Sequence, residues 1–319
     1  MILLITTVTL NPSIDREYFI DEHKPMKDQY IYDEENLKVY PGGKGLIAAI
    51  NLKNLGYSDV QNIGFIGGKQ GLFFEKMVQD FHVTTNYVYT SQEMRNNIKI
   101  IAQNPPSNTL YNDYTYTVSE RSVTELKKRF KRSIRESDLV MIAGSIPAGV
   151  SFDIYYELIE ICNELGKDVY LKASGEALNR ALKAEPKFVV PYFKHTQKIL
   201  DVEVENQDDY IRMGRELQKA GAQYVIMPFH TDQLLFDEDG SLYMLSPREY
   251  CIRNLLGAGD AYNAAFFDYI YQNGFDFLEA NRYAGAAALD IAEHKLVFLQ
   301  GRDEIEQNID NMLIEELEV

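Results

Sequence analysis

Between Leu139 and Val190 the chain reads LVMIAGSIPAGVSFDIYYELIEICNELGKDVYLKASGEALNRALKAEPKFVV. Leu139–Ala143 is an unbroken apolar run of strand length. Asp153–Leu165 brings apolar residues round at helical spacing, Asp168–Leu171 is a second strand, Glu176–Ala184 a second helix and Phe188–Val190 a third strand. Strands this apolar are covered on both faces. Alternation with helices predicts an α/β fold: a mostly parallel central sheet with helices on both faces.

The same alternation continues outward. Strands are expected at Leu3–Leu10, Asn62–Ile66, Tyr224–Met227 and Gln233–Phe236. Helices are expected at Gly45–Leu55, Gly71–Asp80, Asp208–Ala220, Asp260–Asn273 and Phe277–Ala292. Two segments break the pattern. Tyr18–Tyr40 and Asn86–Ala102 are rich in Tyr, Thr, Val and Ile without a helical period, so antiparallel strands are expected there, with Asn108–Thr117 as an extension. They are read as a small β-sheet lid, inserted at about 18–40 and 86–117 into a single domain spanning 1–319. The 22 Tyr and 16 Phe suit a sheet with one amphipathic face, which could also pair with a second copy of the chain.

Composition narrows the partners. With 319 residues and 45% hydrophobic content the chain can bury a large core. Its net charge of -16 disfavours nucleic acid and anionic membrane surfaces, which select clustered Lys and Arg. An anionic small substrate needs only local positive charge. The two cysteines, Cys162 and Cys251, form no metal or redox pair, which fits a reducing compartment. The apolar start, Met1–Ile5, has no basic leader and reads as a buried strand. No apolar run approaches the roughly 20 residues of a membrane span. A cytoplasmic protein is expected.

Three motifs carry chemistry. Gly257-Ala258-Gly259-Asp260 opens an apolar helix. Glycines before a helix let amide N–H groups converge, and the helix dipole reinforces them, so an anion is stabilised there. Asp260 could take a proton from an attacking hydroxyl; Asp at a helix start is also an ordinary N-cap. Pro41-Gly42-Gly43-Lys44-Gly45 opens a second apolar helix, with close backbone approach and one point charge. It lacks the spacing and the Lys-Ser/Thr ending of a Walker A loop. Asn11-Pro12-Ser13-Ile14-Asp15 ends the first strand, so Asp15 lies where open α/β sheets bind ligands, although an Asp in a turn is common.

In order along the chain stand Asn11-Pro12-Ser13-Ile14-Asp15, Gly42-Gly43-Lys44-Gly45, Gly64-Phe65-Ile66-Gly67-Gly68, Arg95-Asn96-Asn97-Ile98-Lys99-Ile100, Gly144-Ser145-Ile146-Pro147-Ala148-Gly149-Val150, Ser174-Gly175-Glu176-Ala177-Leu178 and Gly257-Ala258-Gly259-Asp260. Seven motifs in register are far more specific than any one. The chain resembles the ribokinase-like sugar kinases, specifically their 1-phosphofructokinase and tagatose-6-phosphate kinase branch. The resemblance implies ATP-dependent phosphorylation of a ketohexose phosphate, with Mg2+ assisting. It implies Asp260 as base, the amides of Gly257, Ala258 and Gly259 as anion hole, and Asp15, Gly42, Gly43 and Lys44 as sugar contacts. Arg95, Asn97 and Lys99 match the branch's phosphate-recognition motif. Arg95 and Lys99, at i and i+4 of a strand, point to one face.

The nucleotide side departs from the resemblance. Where such kinases carry Pro-Asn-x-x-Glu, this chain has Pro191-Tyr192-Phe193-Lys194-His195. A Ser-Leu-Gly-x-x-Gly loop is replaced by Pro228-Phe229-His230-Thr231-Asp232-Gln233, and Leu-Asp-Thr-Ser-Gly by Leu171-Lys172-Ala173-Ser174-Gly175. The Thr before the anion hole is Leu255 or Leu256, and Leu46-Ile47-Ala48 replace an Asn after Gly-Gly-Lys-Gly. Groups that organise the metal are lost while lysines appear, and no metal ligand can be assigned. Lys194, with Lys172 as runner-up and Ser174 beside it, is expected to meet the nucleotide phosphates. The alternative is a non-catalytic sugar-phosphate-binding paralogue with a degraded nucleotide site.

Overall fold

The computed structural model describes residues 4–24, 26–114, 116–192, 198–199, 202–203, 206–253, 255–294 and 297–318. Its strands are β1 (Leu4–Thr9), β2 (Ser13–Ile20), β3 (Leu37–Gly42), β4 (Asp59–Gly67), β5 (Thr84–Thr90), β6 (Arg95–Gln103), β7 (Pro106–Asn112), β8 (Leu139–Ala143), β9 (Val169–Ala173), β10 (Phe188–Pro191), β11 (Lys198–Ile199), β12 (Val202–Glu203), β13 (Tyr224–Phe229), β14 (Asp232–Phe236), β15 (Leu242–Pro247) and β16 (Met312–Glu316). Its helices are α1 (Lys44–Asn54), α2 (Gly68–Asp80), α3 (Glu120–Ser133), α4 (Ile154–Glu164), α5 (Gly175–Ala181), α6 (Gln207–Lys219), α7 (Ala258–Asn273), α8 (Phe277–His294) and α9 (Asp303–Asn308).

Ten strands form one sheet in the order β16-β15-β14-β13-β10-β9-β8-β1-β4-β5. From β5 to β13 the pairs are parallel; β14, β15 and β16 extend the edge antiparallel. One apolar cluster fills the face under α1, α2, α7 and α8, and a second the face under α3 to α6. The expected α/β fold with helices on both faces is the observed one. α7 shows why its apolar pattern runs all round: Ala258 and Ala261–Asp268 are buried, because the helix lies between sheet and α8. Near its middle, the Asp268 carboxylate accepts from Tyr57, Tyr283 and Arg302, so a buried charge is fully paired.

The small sheet has the order β3-β2-β6-β7. It differs from the expectation in two respects. β5, within the segment read as part of the lid, pairs with β4 along Gln61↔Thr84 to Gly67↔Thr90 and belongs to the large sheet. β2 and β6, expected antiparallel, run parallel, because the chain passes through β5 before returning to the small sheet. Only Leu10–Pro12 separates β1 from β2, so Asp15 stands on β2 of the small sheet and not at the end of the first strand. Only Gly43 separates β3 from α1.

Candidate active site

β1, β8, β9 and β10 are neighbours in the parallel part of the sheet, and Lys172 of β9 meets the N-terminal turn of α7, at the carboxyl edge where open α/β sheets bind ligands. Gly257 caps α7 in the left-handed region, φ 83°, and a Cβ there would meet the Val297 carbonyl oxygen at 2.5 Å. Only glycine fits that turn; the Ala258 amide donates to the Leu255 carbonyl oxygen at 3.4 Å and the Asp260 amide to the Gly257 carbonyl oxygen at 3.0 Å. Asp260 sits in this first turn, its side chain 13% exposed.

Lys172 approaches the same turn from β9. Strand alternation puts it on the face of Tyr170, which packs under α7. Its ammonium donates to the Gly259 carbonyl oxygen at 2.7 Å and lies 3.4 Å from Asp260 Oδ1. Burial pulls the Lys172 ammonium below the ordinary lysine range, while the charge of Asp260 and the hydrogen bond to it pull it back up. Lys172, expected at the nucleotide phosphates, is engaged with the base candidate instead. Ser174 precedes α5 and makes no side-chain cap. Lys194 and His195 lie outside the described residues.

The small sheet supplies the facing wall. Its register sets Ser13 beside Arg95, Asp15 beside Asn97 and Glu17 beside Lys99 on one face. Asp15 Oδ1 accepts from Ser13 at 2.6 Å and from Asn97 at 2.8 Å. Burial pushes the Asp15 carboxyl up, against the lowering effect of Ser13, Arg95 and Asn97. A Cβ on Gly42 would fall 2.3 Å from Asp15 Oδ2, so the glycine loop and the carboxylate are built around each other. Arg95 donates to Asn11 O at 3.4 Å and to Asn97 Oδ1 at 3.0 Å. Asn11 in turn donates to Ser145 at 3.0 Å, tying the start of β2 to the loop after β8.

Arg95 and Lys99 do share a face, and that face is not purely cationic. Lys99 is buried and 3.7 Å from Glu17, which also accepts from Tyr40 at 3.1 Å. Glu17 and Tyr40 carry no motif of their own; the register of β2 against β6 and β3 brings them in. Lys44, in the first turn of α1, sits over the ring of Tyr192 at 4.2 Å. That contact joins the glycine loop to the end of β10, where an asparagine was expected from the resemblance.

An anion such as phosphate fits the N-terminal end of α7, where the helix dipole is positive. Magnesium finds no cage of protein ligands, since among the described residues no three His, Cys, Asp or Glu side chains converge. Among the same residues no helix is long and apolar enough to cross a membrane.

Comparisons with known proteins point to one family. The profile of the pfkB family carbohydrate kinases matches residues 9–297. The chain is 27% identical over 264 residues to a 1-phosphofructokinase of Bacillus subtilis, covering 82% of this chain and 84% of the relative. It is 28% identical over 288 residues to a 1-phosphofructokinase of Borreliella burgdorferi, covering 89% and 90%. A crystal structure from Thermotoga maritima, described as a possible 1-phosphofructokinase, superposes with a TM-score of 0.92 at 29% identity, over 99% of this chain and all of that one.

Proposed function

Because the chain belongs to the pfkB family of carbohydrate kinases, we propose that it transfers the terminal phosphate of ATP to a ketohexose phosphate, with fructose-1-phosphate as the first candidate, Asp260 as base and the Gly257–Gly259 amides as anion hole. A sugar hydroxyl attacks the γ-phosphorus. The new P–O bond forms as the bond to the β–γ bridging oxygen breaks, the hydroxyl proton passes to Asp260, and ADP leaves. The carrying observation is the α7 turn, where a carboxylate, a glycine-capped helix start and a cation stand within one helical turn. In such a site the protein mainly positions the reactants and stabilises charge.

The single-domain reading continues with the small sheet as a lid whose Asp15, Gly42, Gly43 and Lys44 meet the sugar. Asp15, already fixed by Ser13 and Asn97, is set to accept sugar hydroxyls. Arg95 and Asn97 read the phosphate the substrate already carries; two of the five guanidinium donors of Arg95 are engaged within the protein. Relatives named 1-phosphofructokinase support this choice of substrate. Exposed Ile98 and Tyr111, paired across β6 and β7, are where a second copy of the chain would sit. Mg2+ would enter with the nucleotide and supply charge neutralisation at its phosphates.

ADP release coupled to an indicator reaction, on fructose-1-phosphate, fructose-6-phosphate and tagatose-6-phosphate, tests the reading. Turnover with one of them supports it. Binding of a sugar phosphate with no ADP release from any would replace it with the non-catalytic binder, the reading favoured by Tyr192 in place of an asparagine.

A further inference from the structure

Lys172 fits neither role that a strand-end lysine in a kinase invites. It is not a solvated surface charge, since it is 7% exposed. Nor does it reach outward to a ligand, because its ammonium is held inside the first turn of α7. It donates to the Gly259 carbonyl oxygen at 2.7 Å and lies 3.4 Å from Asp260 Oδ1. Its backbone is fixed on both sides, in register with Val190 of β10 and Ala143 of β8. Position 259 is shaped by it, as a Cβ there would stand 3.1 Å from the ammonium.

We propose that Lys172 is the positioning residue of Asp260: its ammonium clamps one carboxylate oxygen and the helix turn together, leaving Oδ2 directed at the substrate hydroxyl. The proposal rests on the kinase reading above and deepens it. Other groups facing Asp260 come from three elements. Tyr170 of β9 is buried and donates to Asn263, Tyr40 comes from β3, and Tyr192 follows β10 beneath Lys44. The tyrosines stay neutral in the physiological range, each pushed up chiefly by burial. Among the described residues, Lys172 is a cation held directly against the carboxylate. A rigid carboxylate loses less freedom on reaching the transition state than one that swings between rotamers. When Lys172 loses its proton at high pH, the clamp opens and turnover falls.

The test is a pH profile of kcat and KM from about pH 6 to about pH 10 in wild type, Lys172→Met and Lys172→Arg. Lys172→Met should lose on the order of 10- to 100-fold in kcat, with KM for the sugar phosphate nearly unchanged, and should lack the alkaline limb expected of wild type. Lys172→Arg should recover part of kcat and move that limb upward, since guanidinium stays protonated. Wild-type kcat and an unchanged alkaline limb in Lys172→Met overturn the proposal. Should Lys172→Met fail to fold by circular dichroism, an unmoved limb in Lys172→Arg overturns it equally.

A second measurement is independent of turnover. Titration of the Lys172 ε-carbon by NMR should move to lower pH in Asp260→Asn, because the opposite charge that favours the ammonium is gone. No movement means that the pair does not exist in solution and ends the proposal. Wild type that releases no ADP on any sugar phosphate would remove the kinase reading, while this titration would still report on the clamp.

Discussion

Two lysine–carboxylate pairs invite comparison, Lys99 with Glu17 in the small sheet and Lys172 with Asp260 at the α7 turn. The first is closed. Both partners stand side by side on neighbouring strands, Tyr40 supplies a further hydrogen bond to Glu17, and Glu17 is 1% exposed. The second joins a strand end to a helix start, its lysine divides its donors between a carbonyl and a carboxylate, and Asp260 keeps 13% of its side chain exposed. Equal chemistry in unequal frames gives unequal roles. A pair fixed by strand register shapes a wall, whereas a pair at a glycine-lined helix start leaves an oxygen for a ligand.

Asp260→Asn separates the two most sharply. Turnover should fall by about 10²–10⁴-fold, with sugar-phosphate binding by calorimetry close to wild type; a variant keeping more than about half of kcat rejects the base assignment. Lys99→Met attacks the closed pair and should show up in stability. Leaving Glu17 buried without its cation costs about 3–5 kcal/mol, read by urea unfolding, and an unchanged midpoint would mean that the pair is not a structural element. Arg95→Ala should have a smaller effect than either. Loss of a charge-assisted contact should weaken sugar-phosphate binding roughly 10- to 100-fold and leave the unphosphorylated sugar almost unaffected. Equal losses for both would make Arg95 a support for the sheet.

The smallest effect belongs to Asp15. Burial holds its carboxyl above the ordinary value, so the folded chain binds that proton more tightly than the unfolded one. Its contribution to stability is complete below about pH 4 and is lost as pH rises through the folded value. Asp15→Asn stays neutral throughout, so its stability relative to wild type should grow with rising pH. By neutrality it should be more stable than wild type by urea unfolding, while sugar-phosphate binding weakens. A gap that shrinks toward neutral pH would contradict the sign.

The sequence shows the large sheet because its strands are apolar throughout and its helices announce themselves at 3.6-residue spacing. It hides α3, whose buried face among charged neighbours is only Leu126 and Phe130, with Ser119 capping through the Ser122 amide. It hides β15 and the edge strand β16, whose half-exposed residues look like loop. β5 resembles the small-sheet strands in composition, and only pairing tells them apart. At the site, Gly257-Ala258-Gly259-Asp260 is legible because glycine before a helix has a local meaning. The partner of Asp260 is not, because the approach of β9 to α7 is a matter of tertiary packing between residues 87 or 88 apart. The same holds for Glu17, whose pairing with Lys99 depends on which strands lie side by side.

The spacing of the links around the small sheet also says where this chain can accept new material. Three residues join β1 to β2 and a single glycine joins β3 to α1, so an added residue at either place would drag Asp15 or Lys44 out of line. The stretch from 21 to 36, between β2 and β3, is largely exposed in its described residues and closes far more chain than the geometry of the turn demands. Grafted peptides, fluorescent reporters or new termini belong there, because chain length in such a loop changes little that the site depends on.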